Sequence, residues 1–231
     1  MLSRTAAMLV PAFGNLTITS DLPGRLATGS IIAPNHDSLA DPAVTLAALH
    51  RMGIQPVVMA AAGLWRIPLL GFALERGGHI PVHRRSEHAA RALDHALAAL
   101  AEGRHVLIYG EGRLPSRRDA GTAAPESFRT GLARLARASG SPIVPLGHAG
   151  ARRITSGGRT KQIAGVLSAP LRRPRLHVHM GLPVDLPHDI PAATERAHQA
   201  VTAAWRKAAR ALGASPASPP DHGACNTAVL R

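Results

Sequence analysis

Short apolar, β-prone runs alternate with helix-patterned stretches along almost the whole chain, and this alternation restricts the fold more than any other feature. Strand-like runs fall at Leu16–Thr19, Ser30–Ala33, Gln55–Ala60, Gly78–Val82, His105–Tyr109, Ile143–Gly147 and Leu176–Gly181. Helical patterns cover Ala43–His50, Glu87–Glu102, the stretch from Phe128 to Ser139, and Ala192–Leu212. Alternation of this kind predicts a single α/β domain, a mostly parallel mixed sheet flanked by helices. Ligands in such sheets bind beyond the carboxyl ends of the strands. Residues 1–14 are expected to form a short apolar helix or surface anchor, 15–212 the domain, and 213–231 a disordered tail. The basic segment Arg152–Arg175 has little pattern and reads as a long surface excursion. The apolar stretch Gly63–Leu74, interrupted by Pro68, reads first as core, with an acyl-chain wall or membrane-facing patch as the alternatives.

Three polar segments lie at predicted strand ends. The first is Asn35-His36-Asp37-Ser38-Leu39-Ala40-Asp41, followed by Pro42. Five residues along a regular helix correspond to about 500° of rotation, so His36 and Asp41 would not share a helix face. They can meet only in the turn. Asp41 before Pro42 reads as an N-cap with proline at the first helical position. A neutral imidazole can take a proton from an alcohol at neutral pH, and a carboxylate on its other nitrogen sets the tautomer. On these residues alone, capping and general-base catalysis are equally open. The second segment is His83-Arg84-Arg85, and the third is Gly110-Glu111-Gly112-Arg113. Glycines on both sides of Glu111 allow close backbone approach to a phosphate, and Arg113 offers a bidentate fork. Glu111 is expected to orient Arg113 or a substrate hydroxyl.

The formal charge is +13, from 27 Lys and Arg against 14 Asp and Glu. Such a balance suits anionic partners: phosphates, anionic lipid surfaces, acidic carrier proteins or nucleic acid. Aromatics make up only 3%, too few for a stacking platform, so a nucleic-acid partner is not expected. They also leave the core to Ala, Leu, Val and Ile. The single cysteine, Cys225, excludes an internal disulfide framework or cysteine zinc site and fits a reducing, cytoplasmic compartment. No apolar run reaches the roughly 20 residues of a transmembrane helix.

Taken in order, these segments resemble the motifs of the lysophosphatidic acid acyltransferase family of glycerolipid acyltransferases. Asn35-His36-x-Ser38-x-x-Asp41 is similar to its catalytic His-x₄-Asp block. Gly78-His79-Ile80-Pro81-Val82-His83-Arg84 is similar to the second motif, which ends in a phosphate-binding arginine. Tyr109-Gly110-Glu111-Gly112-Arg113 resembles the third, with Gly110 where proline is usual and no threonine before Arg113. Phe128-Arg129-Thr130-Gly131 matches a Phe-Lys-x-Gly element, and Val144-Pro145-Leu146 the fourth motif.

The resemblance spans about Leu16 to Gly181. It implies acyl transfer from acyl-CoA or acyl-carrier protein to the hydroxyl of a lysophospholipid, with no cofactor and no metal. His36 would be the base and Asp41 its orienting carboxylate. Arg84, Glu111, Gly112 and Arg113 would bind the acceptor phosphate, with Asn35 and Ser38 in support. It further implies a cytoplasmic protein, peripheral on an anionic membrane at the inner face of the plasma membrane. A thioester hydrolase and a transferase for a specialised hydroxyl or amine remain the rival readings. No Gly-x-Ser-x-Gly elbow is present, which disfavours a serine hydrolase.

Overall fold

The computed structural model describes residues 2–83, 88–114 and 123–213. Seven strands form one sheet: β1 (Asn15–Ser20), β2 (Ile31–Pro34), β3 (Val57–Ala61), β4 (Ile80–Val82), β5 (Val106–Leu107), β6 (Ile143–Ala149) and β7 (Arg175–Met180). Their order is β1-β7-β6-β2-β5-β3-β4. All neighbours are parallel except β6 and β7, which run antiparallel. The α/β expectation of a mostly parallel mixed sheet is met.

Among the described residues, six of seven α-helices cover the two faces. Helices α1 (Leu2–Phe13), α2 (Asp41–Arg51) and α6 (Arg159–Arg172) share one apolar layer, through residues such as Val10, Leu49 and Ala169. Helices α4 (His88–Ala101), α5 (Gly131–Ser139) and α7 (Ile190–Ala211) share the other, through Ala96, Leu135 and Val201. Helix α3 (Pro68–Arg76) follows a 3-10 turn at Ala62–Arg66 near the β4 edge. Central β2 and β6 are buried along their whole lengths, which explains their continuous apolar runs. The core is aliphatic apart from Trp205, which seals α7 against β6. Packing there is tight: a Cβ at Gly147 would lie 2.1 Å from the Ala204 carbonyl carbon.

Two expectations are corrected. Arg152–Arg175 is not an irregular excursion. It holds a 3-10 turn (Ala151–Arg153), helix α6 and the start of β7. The helix is hard to read because its apolar residues face outward as well as inward. Gly63–Leu74 is not core either: Ile67, Leu69 and Phe72 are exposed, and only Gly71 and Leu74 are buried. Pro68 starts a new helix, and its short span leaves only one side for the sheet. The expected helix over 1–14 is α1, whose Ser3, Ala6 and Val10 are buried. Residues 214–231 lie outside the described residues, and the tail expectation with them.

Candidate active site

At the carboxyl end of β2 the chain turns sharply into α2, between the ends of β5 and β6. The turn is built around one carboxylate. Asp41 Oδ2 accepts the backbone N–H groups of Asp37 (2.6 Å) and Ser38 (2.7 Å), and the His36 Nδ1–H (3.0 Å). Asp41 is therefore the first helical residue and not the N-cap expected from Pro42. Ala40 holds the cap position without a side-chain bond. The carboxylate points back into the turn because the approaching loop already presents its amides there.

Asp41 is fully buried, while the His36 side chain keeps 16% of its surface exposed. Burial pushes the Asp41 carboxyl up. The neighbouring imidazoles of His148 and His36 and the Ser38 amide outweigh it, so the group is held below the ordinary carboxylate range. An ionised Asp41 accepts the hydrogen bond of His36 Nδ1–H and keeps the proton on that nitrogen, which leaves Nε2 with the lone pair. The Tyr109 ring packs on the imidazole, with centroids 4.2 Å apart and planes tilted by 30°.

The peptide between Asn35 and His36 is held at both ends. His148 Nε2–H donates to the Asn35 carbonyl at 2.5 Å, and the His36 N–H donates to Glu111 Oε1 at 3.0 Å. The Asn35 side chain bonds the His148 backbone in both directions, accepting from its N–H at 2.8 Å and donating to its carbonyl at 3.2 Å. His148 is fully buried, with Nε2 only 3.7 Å from Asp41 Oδ2. Sequence reading missed it: nothing in the β6 run Ile143–Ala149 separates this histidine from 12 others. It also missed Arg152, buried beyond β6, whose guanidinium donates to the Asp37 carbonyl at 2.6 Å. Ser38 ties the turn to the same region, sharing a hydrogen bond with the Thr155 hydroxyl at 2.5 Å.

Glu111 does not orient Arg113. It is buried and turned toward His36, and burial raises its carboxyl to about 8. Gly112 follows at φ +67°, a backbone angle that favours glycine, and closes the turn with a bond from its N–H to the Tyr109 carbonyl. Gly110, where a proline is usual, lies under the Phe128 ring, 2.3 Å from where a Cβ would sit. The Phe128–Gly131 element thus packs directly on the Glu111 turn. Arg113 is 63% exposed and lies 3.7 Å from Glu126. Arg84 lies outside the described residues. His79, in the same motif, accepts the Val58 N–H through Nδ1, and burial lowers it to about 4, so it stays neutral at neutral pH.

Asn35, His36, Asp37, Glu111, Glu126 and Arg152 line a small cleft over the imidazole. Burial, reinforced by the charge of Asp41, raises Asp37 well above the ordinary range. Among the described residues, Asp37, Asp41 and His148 are grouped closely enough to hold a cation, their ligand atoms lying within 4.8 Å of one another. Asp41 Oδ2 and His148 Nε2 are already engaged in fixing the turn.

Residues 16–149, more than half of the chain, match the family model described as Acyltransferase, and the chain belongs to that family. Its fold is similar to the crystal structure of the 1-acyl-sn-glycerophosphate (LPA) acyltransferase PlsC from Thermotoga maritima. The TM-score is 0.69 at 16% identity, covering 94% of this chain and 80% of that one. No curated protein matches the sequence. No helix of the described residues is long and apolar enough to cross a membrane.

Proposed function

We propose that this acyltransferase moves a fatty acyl group from acyl-CoA or acyl-carrier protein to the hydroxyl of a lysophospholipid such as 1-acyl-glycerol-3-phosphate. The observation that carries the reading is the His36 imidazole, held on Asp41 through Nδ1 and lining the cleft. In the proposed reaction Nε2 accepts the acceptor's hydroxyl proton as that oxygen attacks the thioester carbonyl. The tetrahedral adduct collapses, the C–S bond breaks, and the thiolate leaves with the proton carried by the imidazolium. Asp41 stabilises that imidazolium, and a positioned base of this kind contributes roughly 10²–10⁴-fold. No covalent acyl-enzyme is formed, and Ser38 is a hydrogen-bonding support.

Arg84 and Arg113 are assigned to the acceptor phosphate, with Gly112 presenting its backbone. Glu111, buried and bonded to the His36 N–H, contributes to acceptor positioning through that peptide. The net charge and the lipid acceptor favour a cytoplasmic protein, peripheral on the anionic inner face of the plasma membrane.

One observation favours a second reading. The cleft carries three carboxyl side chains, Asp37, Glu111 and Glu126, and Glu126 already faces Arg113. That lining suits a specialised hydroxyl or amine acceptor without a phosphate. The test is incubation with radiolabelled acyl-CoA and acyl-carrier protein over lysophospholipids and non-phosphorylated alcohols and amines. Labelled phosphatidic acid supports the first reading and labelled ester or amide of another acceptor the second. Release of free fatty acid alone identifies a thioester hydrolase and overturns both.

A further inference from the structure

Helix α6 has its apolar side chains on the wrong side for a helix of a soluble domain. Its buried contact with the sheet layer is Ala169. On the opposite side Ile163, Leu167 and Leu171 recur at four-residue spacing and are 61%, 73% and 90% exposed. Residues four apart stand one above another on a helix, so the three form a continuous stripe. Helix α1 lies alongside, joined by an Arg173 guanidinium bond to the Pro11 carbonyl at 3.1 Å, and exposes Met8 and Leu9. Contiguous outward apolar surface of this kind marks an interaction site.

Charge identifies the partner. There is no Asp or Glu between Glu126 and Asp185, nor before Asp21, so both helices are free of acidic residues. Exposed Arg4, Arg159 and Lys161 flank the apolar side chains. An apolar stripe edged by cations, on a helix too short to span a bilayer, matches a helix lying in the headgroup plane of an anionic membrane. The rival patch on α3, around Leu69 and Phe72, carries exposed Glu75 and is less suited to such a surface.

We infer that the outward face of α6, with Met8 and Leu9 of α1, docks this protein on an anionic lipid bilayer. The inference rests on the lipid-acceptor reading above and specifies how the acceptor is met. The segment leading into α6 carries Arg152 and Thr155, which hold the catalytic turn through Asp37, Ser38 and Ala40. Docking through α6 therefore places the bilayer on the element that supports the site.

The experiment is sedimentation of the full chain with phosphatidylcholine vesicles, with and without phosphatidylglycerol, for wild type, Leu167→Asp/Leu171→Asp, Leu171→Asp alone and Leu69→Asp. Acyl transfer to a detergent-dispersed acceptor is measured in parallel. Wild type is expected to bind the phosphatidylglycerol vesicles, more weakly as salt is raised. The double variant loses about a hundredfold in partitioning and the single about tenfold, while Leu69→Asp binds as wild type. Detergent activity stays unchanged in all four. Because Leu171 is so exposed, its single variant tests the face without loading the fold. Unimpaired binding of the double variant, loss confined to Leu69→Asp, no wild-type binding, or pairing of the face with a second copy in place of vesicle binding overturns the inference. Vesicle binding by a protein that transfers no acyl group overturns the functional reading and still supports the docking face.

Discussion

Glu111 Oε1 accepts the backbone N–H of His36 at 3.0 Å, across 75 residues of sequence. This buried carboxyl thus supports the main chain of the proposed base. With His148 on the Asn35 carbonyl, it clamps the peptide that aims the imidazole. Both clamping groups are buried, and Glu111 titrates within the accessible pH range.

Burial raises Glu111 to about 8, from an ordinary value of 4.5. The folded state therefore holds a proton that the unfolded chain has released between those values, and stability falls as pH rises through that window. Glu111→Gln removes this component. Denaturant melts from pH 5 to about 9 are expected to show a shallower decline for the variant than for wild type, with the gap closing at low pH. Parallel pH curves would show that Glu111 does not titrate in that range.

His36→Ala is expected to abolish acyl transfer while the protein stays folded. Asp41→Asn keeps the shape but no longer selects the Nδ1–H tautomer, and should lose roughly 10²–10⁴-fold in kcat. Full activity in His36→Ala would sink the mechanism.

His148→Leu leaves the buried Asn35 carbonyl without its donor, at a cost of about 1–3 kcal/mol. His148→Gln can restore an N–H there. The expected pattern is a fall in kcat with little change in KM for Leu, and partial recovery of both activity and melting temperature for Gln. Equal, wild-type kcat in both variants would remove His148 from any positioning role.

Arg113→Ala should chiefly raise KM for a phosphorylated acceptor and leave a non-phosphorylated one unaffected. Glu126→Gln, which releases the guanidinium from its neighbour at 3.7 Å, should lower that KM. A collapse of kcat at constant KM in Arg113→Ala would exclude ground-state phosphate binding.

Gly147→Ala drives a methyl group into the backbone of α7, 2.1 Å from Ala204. Neither element can shift cheaply, since β6 is central in the sheet and Trp205 locks the helix. The expected loss is about 3 kcal/mol or more, read by thermal unfolding. A wild-type melting temperature would mean that α7 is not packed on β6 in solution.

The α/β class, all seven strands and the turn into α2 were legible in the chain because strand and helix periods differ and strand ends carry polar segments. β5 was legible as a run, yet it forms ladder pairs only at Val106 and Leu107. Helix α6 as a whole was not legible, since an outward apolar stripe blurs the pattern that marks a surface helix. The family motifs brought His36, Asp41 and Glu111 forward, but motif order says nothing about which way a side chain turns.

The sequence by itself determined that His36 and Asp41 must meet in a turn, because helical geometry forbids it elsewhere. It also determined the aliphatic core and the excess of positive charge. Only the tertiary structure decided that Asp41 faces three donors, that Glu111 faces the His36 backbone and not Arg113, and that His148 completes the clamp from β6. The Glu111 and His148 contacts join segments 75 and 113 residues apart. Their existence depends on strand order and burial, which set distances and charge states that no local pattern encodes.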